Sequence, residues 1–267
     1  MPDTAEDHLK LDDLSGALAA LEDQVRQHAD VARFRVFLFQ LLCVMGQWER
    51  AVRQLQVAAK LSPDARMMAQ TYREAIICEI YREKVFQGEK RALIFGEPEE
   101  WTVQLAEALQ LLATGHAEAA ADLRASAFEA APATPGKING ADFEWIADAD
   151  MRLGPVLEAV INGRYYWVPY STLASVTLEE PEDLRDMVWL PATLTFTNEG
   201  EVVALIPSRY AETAATGRDA EKLARSTGWT DLGGDVFAGL GQRLLATDND
   251  TLALLDVRTI ELGGRAP

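Results

Sequence analysis

The sequence of 267 residues contains few of the side chains on which metal binding and nucleophilic chemistry most often depend. It has two cysteines, Cys43 and Cys78, and three histidines, His8, His28 and His116. The histidines fall in different predicted elements without a ligand partner three or four residues away, and no histidine–cysteine spacing fits a zinc site. A nucleophile elbow and a phosphate-binding Gly-Lys-Ser/Thr motif are also missing. We therefore expect no metal, no cofactor and two buried thiols.

Long apolar runs and an excess of basic residues are absent too. No stretch reaches about 18 consecutive apolar residues, and the first residues, MPDTAEDHLKLDDL, are acidic where a signal peptide is basic and then apolar. The net charge is −17, which opposes binding to nucleic acid or to an anionic membrane. These features predict a globular, cytoplasmic protein that binds neither.

The charge is distributed unevenly along the chain. Residues 26–91 contain twelve Lys or Arg and seven Asp or Glu, whereas residues 142–186 contain three and ten. This pattern fits either ordinary solvated faces or a basic groove for an acidic segment of a partner.

The first half of the sequence is predicted to be helical and repetitive. Apolar residues recur every three or four positions in LSGALAALEDQV and VARFRVFLFQLLCVMG. A 34-residue period, typical of tetratricopeptide repeats, relates Ala17, Leu21 and Ala29 to Ala51, Leu55 and Pro63. A third copy 69 residues further on relates Gly46, Ala51 and Pro63 to Gly115, Ala120 and Pro132. The alternative is a plain antiparallel helical bundle with an accidental period.

The composition changes at APATPGKINGA, residues 131–141, where prolines and glycines interrupt any helix. We predict an α+β protein with a tetratricopeptide-like helical domain over residues 1–132, a linker over 133–140 and a small β-rich domain over 141–267. The β-rich domain is expected to begin with a short helix, to form a partial barrel or a largely antiparallel sheet, and to contain a further helix in GRDAEKLARSTG. Because residues alternate between the two faces of a strand, GRYYWVPY should direct Tyr165 and Trp167 to one face and Tyr166, Val168 and Tyr170 to the other.

One group of residues suggests an enzyme as an alternative to a binding protein. Asp148, Arg152, Arg164 and Tyr166 lie close together in sequence within the β-rich domain, and Asp148 and Arg152 have the spacing of a helical ion pair. A catalytic site would require these groups to converge on one cavity. The segment DADMRLG lacks the closing glutamate of a calcium loop.

Eight segments of the sequence carry a resemblance to a known family. They are FRVFLFQLLCVMGQWERA, MAQTYREA, VFQGEKRALIFGEPEEW, FEAAPATPGKING, DADMRLGPVLEAVINGRYYWVPY, PEDLRDMVWLPA, VALIPSRY and FAGLGQRLLATD. Together, from about Leu11 to Leu262, they are similar to the ImpE family, whose members are also called TagJ or SciE and are accessory proteins of bacterial type VI secretion.

The resemblance implies a function that composition and spacing do not provide. Proteins of this family are cytoplasmic and non-enzymatic, and some bind the small sheath subunit, TssB, near its N-terminal helix. They are thought to assist the ClpV ATPase in recycling the contracted sheath. The resemblance implies no catalytic residues.

A partner helix is expected to bind the helical domain, because helical repeats present a concave face suited to an amphipathic helix. The candidate contact residues are Arg33, Arg35, Gln40, Gln47 and Trp48. The alternative is that Trp48 anchors a repeat and the polar residues are merely solvated.

Overall fold

The computed structural model describes residues 4–233 and 236–263. Helices dominate the chain up to Ala131, which confirms the predicted helical half. They are α1 (Ala5–Lys10), α2 (Leu14–Gln27), α3 (Ala32–Val44), α4 (Trp48–Leu61), α5 (Ala65–Phe86), α6 (Glu100–Ala113) and α7 (Ala117–Ala130). A two-residue strand, β1 (Leu93–Ile94), lies between α5 and α6.

The helical repeat follows the predicted period. Helices α2 and α4 each have 14 residues and begin 34 positions apart, at Leu14 and Trp48. Both corresponding alanines, Ala17 and Ala51, are completely buried, because small side chains allow the paired helices to approach closely.

The third copy is a helical hairpin. Helices α6 and α7 reproduce α3 and α4, and both turns contain a glycine with positive φ, Gly46 at 71° and Gly115 at 85°. The same backbone hydrogen bond closes each turn, from Gln47 N to Leu42 O at 2.8 Å and from His116 N to Leu111 O at 2.9 Å. After α7 the chain enters the sheet instead of forming another helix.

The second half is rich in strands, as predicted. They are β2 (Gly136–Ile138), β3 (Ala141–Phe143), β4 (Ile146–Asp148), β5 (Val156–Ile161), β6 (Arg164–Pro169), β7 (Leu173–Leu178), β8 (Trp189–Phe196), β9 (Glu201–Pro207), β10 (Thr227–Asp231), β11 (Phe237–Gly241), β12 (Leu244–Thr247), β13 (Thr251–Ala253) and β14 (Thr259–Leu262). Two short helices, α8 (Thr213–Thr216) and α9 (Asp219–Lys222), interrupt them.

Among the described residues, the main sheet has nine strands in the order β1-β6-β5-β9-β8-β7-β14-β2-β3. Its strand pairs are antiparallel except for β1 and β6, which run parallel. The sheet is open and does not close into a barrel. Strands β10 and β11 form a separate hairpin, and β13, β12 and β4 form a three-stranded sheet.

Two local details differ from the sequence predictions. The short helix expected after residue 141 is replaced by β3 and β4. The segment predicted as a linker, 133–140, contains β2, which pairs with β14 and β3 in the main sheet. Strands β2 and β4 pair with β14 and β12, which lie far along the chain, and local composition does not reveal such partners.

The alternation predicted for GRYYWVPY is confirmed. Tyr165 and Trp167 pack with residues of α5 and α6 on one face of the sheet. Val168 and Tyr170 belong to the core on the opposite face, where Tyr166 meets Phe95 edge-on at 5.3 Å. These aromatic residues are therefore part of two cores.

The helical half packs directly against the sheet. Trp189 at the start of β8 is completely buried among the helices, with its ring centroid 5.9 Å from that of Trp48 and 6.0 Å from that of Tyr72. Arg209 reaches in the same direction, and its guanidinium donates a hydrogen bond to the Val44 carbonyl oxygen at the end of α3, at 2.8 Å.

Candidate functional site

A groove of about 480 Å³ runs between α4 and α5 on the helical half. The lining residues recur at helical spacing on both helices: Val52, Leu55, Gln56 and Ala59 on α4, and Ala69, Gln70, Arg73, Glu74 and Ile77 on α5. This stripe lies next to the buried face of α4, and the small side chains of Ala59 and Ala69 leave room between the helices. The groove has an apolar floor and polar edges, as helix-binding grooves do.

Two features of the groove favour a protein partner. Ile77 lines the groove and is 55% exposed, so it gives the groove an accessible apolar side chain. Residues 49–74 contain five Lys or Arg and three acidic residues, Glu49, Asp64 and Glu74, in a chain of net charge −17. The surroundings of the groove therefore carry a small excess of basic residues.

The five predicted contact residues do not form one exposed patch. Arg33 is exposed, with its guanidinium 4.8 Å from the Phe34 ring centroid. Arg35 is half-buried and donates to the Gln54 side-chain oxygen at 3.0 Å. Gln47 is also half-buried and accepts a hydrogen bond from Arg50.

Gln40 and Trp48 lie in the interior, with 6% and 9% of their surface exposed. The indole Nε1 of Trp48 donates to Glu83 Oε1 at 2.9 Å, and its ring packs on Trp189. Trp48 therefore anchors the junction between the helical half and the sheet, and a partner can contact only a small part of it.

A chain of buried charges crosses this junction. Arg82 of α5 donates to both carboxylate oxygens of Glu158 on β5, at 2.7 and 2.8 Å, and Arg243 pairs with Glu158 and with Asp148. Burial acts to raise the pKa of Glu158, but the positive charges of Arg82 and Arg243 outweigh it and lower the pKa to about 2. Burial raises the pKa of Asp148 to about 7, against the attraction of Arg243. These side chains supply one another's hydrogen-bond partners within the interior.

The residues of the enzyme alternative have separate partners in the described part of the chain. No helix joins Asp148 and Arg152; Arg152 pairs instead with Asp150 at 2.6 Å and with Glu212 at 2.5 Å. Arg164 is exposed at the start of β6, while Tyr166 packs on Phe95. The predicted Asp148–Arg152 ion pair was wrong, because this segment is not helical: Asp148 pairs with Arg243, and Arg152 pairs with Asp150 and Glu212.

Sequence reasoning missed the α4–α5 groove and the roles of Glu158 and Arg243. The stripe of Val52, Leu55, Gln56 and Ala59 was a usable signal, because it shows an apolar surface wider than one buried face requires. Glu158 lies inside an apolar strand pattern and Arg243 follows a glycine turn, so nothing local indicates that they meet.

Among the described residues, no helix has both the length and the hydropathy that a membrane span requires. The same part of the chain contains no group of three His, Cys, Asp or Glu side chains arranged to hold a metal ion.

The fold and the groove define a class: an α+β protein whose helical repeats carry a surface groove and are joined to an open sheet. The family model described as ImpE protein matches residues 140–261. Over 257 residues the chain is 53% identical to the type VI secretion system accessory component TagJ of Pseudomonas aeruginosa, covering 96% of this chain and 90% of that protein. The X-ray structure of a Vibrio parahaemolyticus protein matches with a TM-score of 0.88 and 25% identity, covering 98% of each chain. The chain belongs to the ImpE family, as the sequence motifs predicted, and this membership supports an accessory role in type VI secretion.

Proposed function

We propose that this protein is a non-enzymatic adaptor of a type VI secretion system that binds the N-terminal helix of the small, TssB-like sheath subunit. Through that subunit it assists sheath assembly or recycling by the ClpV ATPase in the cytoplasm. Family membership supports the secretion role. The observation that carries the binding mode is the α4–α5 groove, with its apolar floor and the exposed Ile77.

The groove suits an amphipathic helix that inserts apolar side chains at successive turns. Surface charges contribute only about 0–1 kcal/mol each, so the apolar face of the partner helix supplies most of the affinity. The basic residues of α4 and α5 attract an acidic helix and accelerate its association. Arg33 and Arg35 stay predicted contributors to this attraction, and reversing both charges is expected to slow association chiefly at low salt.

The enzyme alternative receives less support. Asp148 and Arg152 are engaged in buried ion pairs, and neither Arg164 nor Tyr166 lines a cavity with them in the described part of the chain. No other observation favours a second function.

Isothermal calorimetry with the full-length sheath subunit and with a synthetic peptide of its N-terminal helix tests the proposal. We expect both to bind, and Ile77→Glu to weaken binding at least about tenfold, or about 1.4 kcal/mol, because it places a charge on the apolar surface. Val203→Glu is the matched control, because Val203 is 74% exposed on β9 and lies outside the groove. It should bind like the wild type.

Absence of binding to the peptide and to the full-length subunit, at low and at high salt, would overturn the adaptor proposal. If both partners bind but Ile77→Glu and Val203→Glu behave alike, the partner binds somewhere other than the groove.

A further inference from the structure

A second cleft lies at the junction of the two halves and shares no lining residue with the α4–α5 groove. Its wider part, about 430 Å³, lies between α5 and the segment around α8. Its narrower part, about 240 Å³, extends from the end of α5 along α6 to Leu232. Phe86 and Glu212 line both parts, so the two parts adjoin each other. We call it the junction cleft.

The wall of the wider part of the junction cleft is largely apolar, whereas the narrower part, which Arg152 and Glu212 also line, exposes as much polar as apolar surface. The wider part contains Trp48, Phe86, Ala211, Ala214 and Ala215, and the narrower part contains Leu109, Leu112, Ala113 and Leu232. The combined volume is in the range typical of binding sites, roughly 300–1,000 Å³. An occupant therefore needs an apolar body.

The charged side chains that are accessible in the junction cleft are carboxylates. The guanidinium of Arg152 is 3% exposed and is already engaged by Asp150 and Glu212, whereas the side chain of Glu212 remains 37% exposed. Glu83 is half-buried, and its partner among the described residues is the indole N–H of Trp48. Burial raises the pKa of Glu83, which reflects a carboxylate partly removed from water and supplied with few donors.

We propose that the junction cleft binds a segment of a partner protein that inserts an arginine side chain between apolar neighbours. The aliphatic part of the arginine packs against Ala214 and Ala215, and its guanidinium pairs with the carboxylate of Glu83. A guanidinium matches this site because it donates two parallel hydrogen bonds to a carboxylate and carries an apolar stem. Glu212 adds negative charge at the point where the two parts of the cleft meet.

Nuclear magnetic resonance of the ¹⁵N-labelled full-length protein tests this inference with two blocked tripeptides, Leu-Arg-Leu and Leu-citrulline-Leu. Citrulline has nearly the shape of arginine but no charge. We expect the arginine peptide to shift the backbone amide signals of Gly46, Ala214 and Ala215, and to bind at least about tenfold more tightly than the citrulline peptide. Equal binding of the two peptides, or no shift at these amides, would overturn the proposal.

Two variants and a control locate the interaction. Glu83→Gln keeps an acceptor for Trp48 and should remove the preference for arginine, while Glu97→Gln, an exposed carboxylate outside the cleft, should keep it. Ala215→Trp places a large side chain at an exposed cleft position, so the protein should fold and lose the peptide. Wild-type binding by both Glu83→Gln and Ala215→Trp would contradict the assignment to this cleft.

Discussion

Trp167 is completely buried between β6 and the helices α5 and α6, and its indole N–H donates to the hydroxyl oxygen of Tyr165 at 2.7 Å. Trp167→Ala is expected to lower the free energy of unfolding by about 3–5 kcal/mol, because it leaves a large cavity. Urea denaturation measures the change. Trp145→Ala is the control, because Trp145 is 41% exposed, and it should have a far smaller effect. Equal effects of the two substitutions on the free energy of unfolding would contradict the assignment of Trp167 to the core.

The burial of Asp148 leads to a second prediction, which concerns how the free energy of unfolding depends on pH. Burial raises its pKa from 3.8 to about 7, so between these values the folded chain holds a proton that the unfolded chain has lost. The resulting stabilisation is fully present below pH 3.8 and is lost as the pH rises through about 7. We expect the free energy of unfolding of the wild type, relative to Asp148→Asn, to fall between about pH 4.5 and pH 8.

Urea titrations of both proteins across this interval measure the difference. The pKa of Glu158 is shifted in the opposite direction, to about 2, and its stabilisation is lost only as the pH falls below about 4.5, outside the interval. A difference that does not change with pH would show that Asp148 is ionised throughout.

At the level of single residues, sequence reasoning succeeded where the physical rule is local. The alternation of Tyr165, Tyr166 and Trp167 follows from strand geometry alone. The partner of Asp148 is Arg243, 95 residues away, and only the folded topology brings them together.

At the level of elements, the two glycine turns allow a controlled comparison. Gly46 and Gly115 have similar positive φ angles, but a Cβ at Gly46 would lie 2.8 Å from the Ala214 Cβ, whereas nothing lies within 4 Å at Gly115. We expect Gly115→Ala to destabilise by about 1–2 kcal/mol from backbone strain. Gly46→Ala should cost more, because Ala214 must also move.

Thermal and urea unfolding of the two variants measure this difference. Equal costs would indicate that α8 adjusts freely to the added methyl group.

The helices and most strands could be predicted because the spacing of apolar residues within each segment indicates a helix or a strand. The short strands β2, β3 and β4 could not be predicted, since they have three residues each: β2 depends on pairing with β14, β3 on pairing with β2, and β4 on pairing with β12. The groove between α4 and α5 was not predicted for a related reason, because its shape depends on how the two helices pack against each other.

At the level of the whole molecule, the composition of residues 131–141 predicts that residues 1–132 fold alone. The packing across the junction leads us to expect that this fragment is helical but unfolds at a lower urea concentration than the full chain. Without the second half, Arg82 loses Glu158, and Trp48 and Tyr72 lose Trp189.

Circular dichroism of the fragment during urea denaturation, compared with the full chain, measures this loss. A fragment that unfolds at the same urea concentration as the full chain would indicate that the two halves are independent domains.

The two residues of β1 have a consequence for solubility. They come from the helical half and pair with β6, which otherwise would be the outer strand of the main sheet. An uncovered outer strand invites other chains to add to it, and β6 is rich in aromatic residues. Proteolysis that separates the halves should therefore leave the sheet fragment prone to aggregate, even while its own core stays folded.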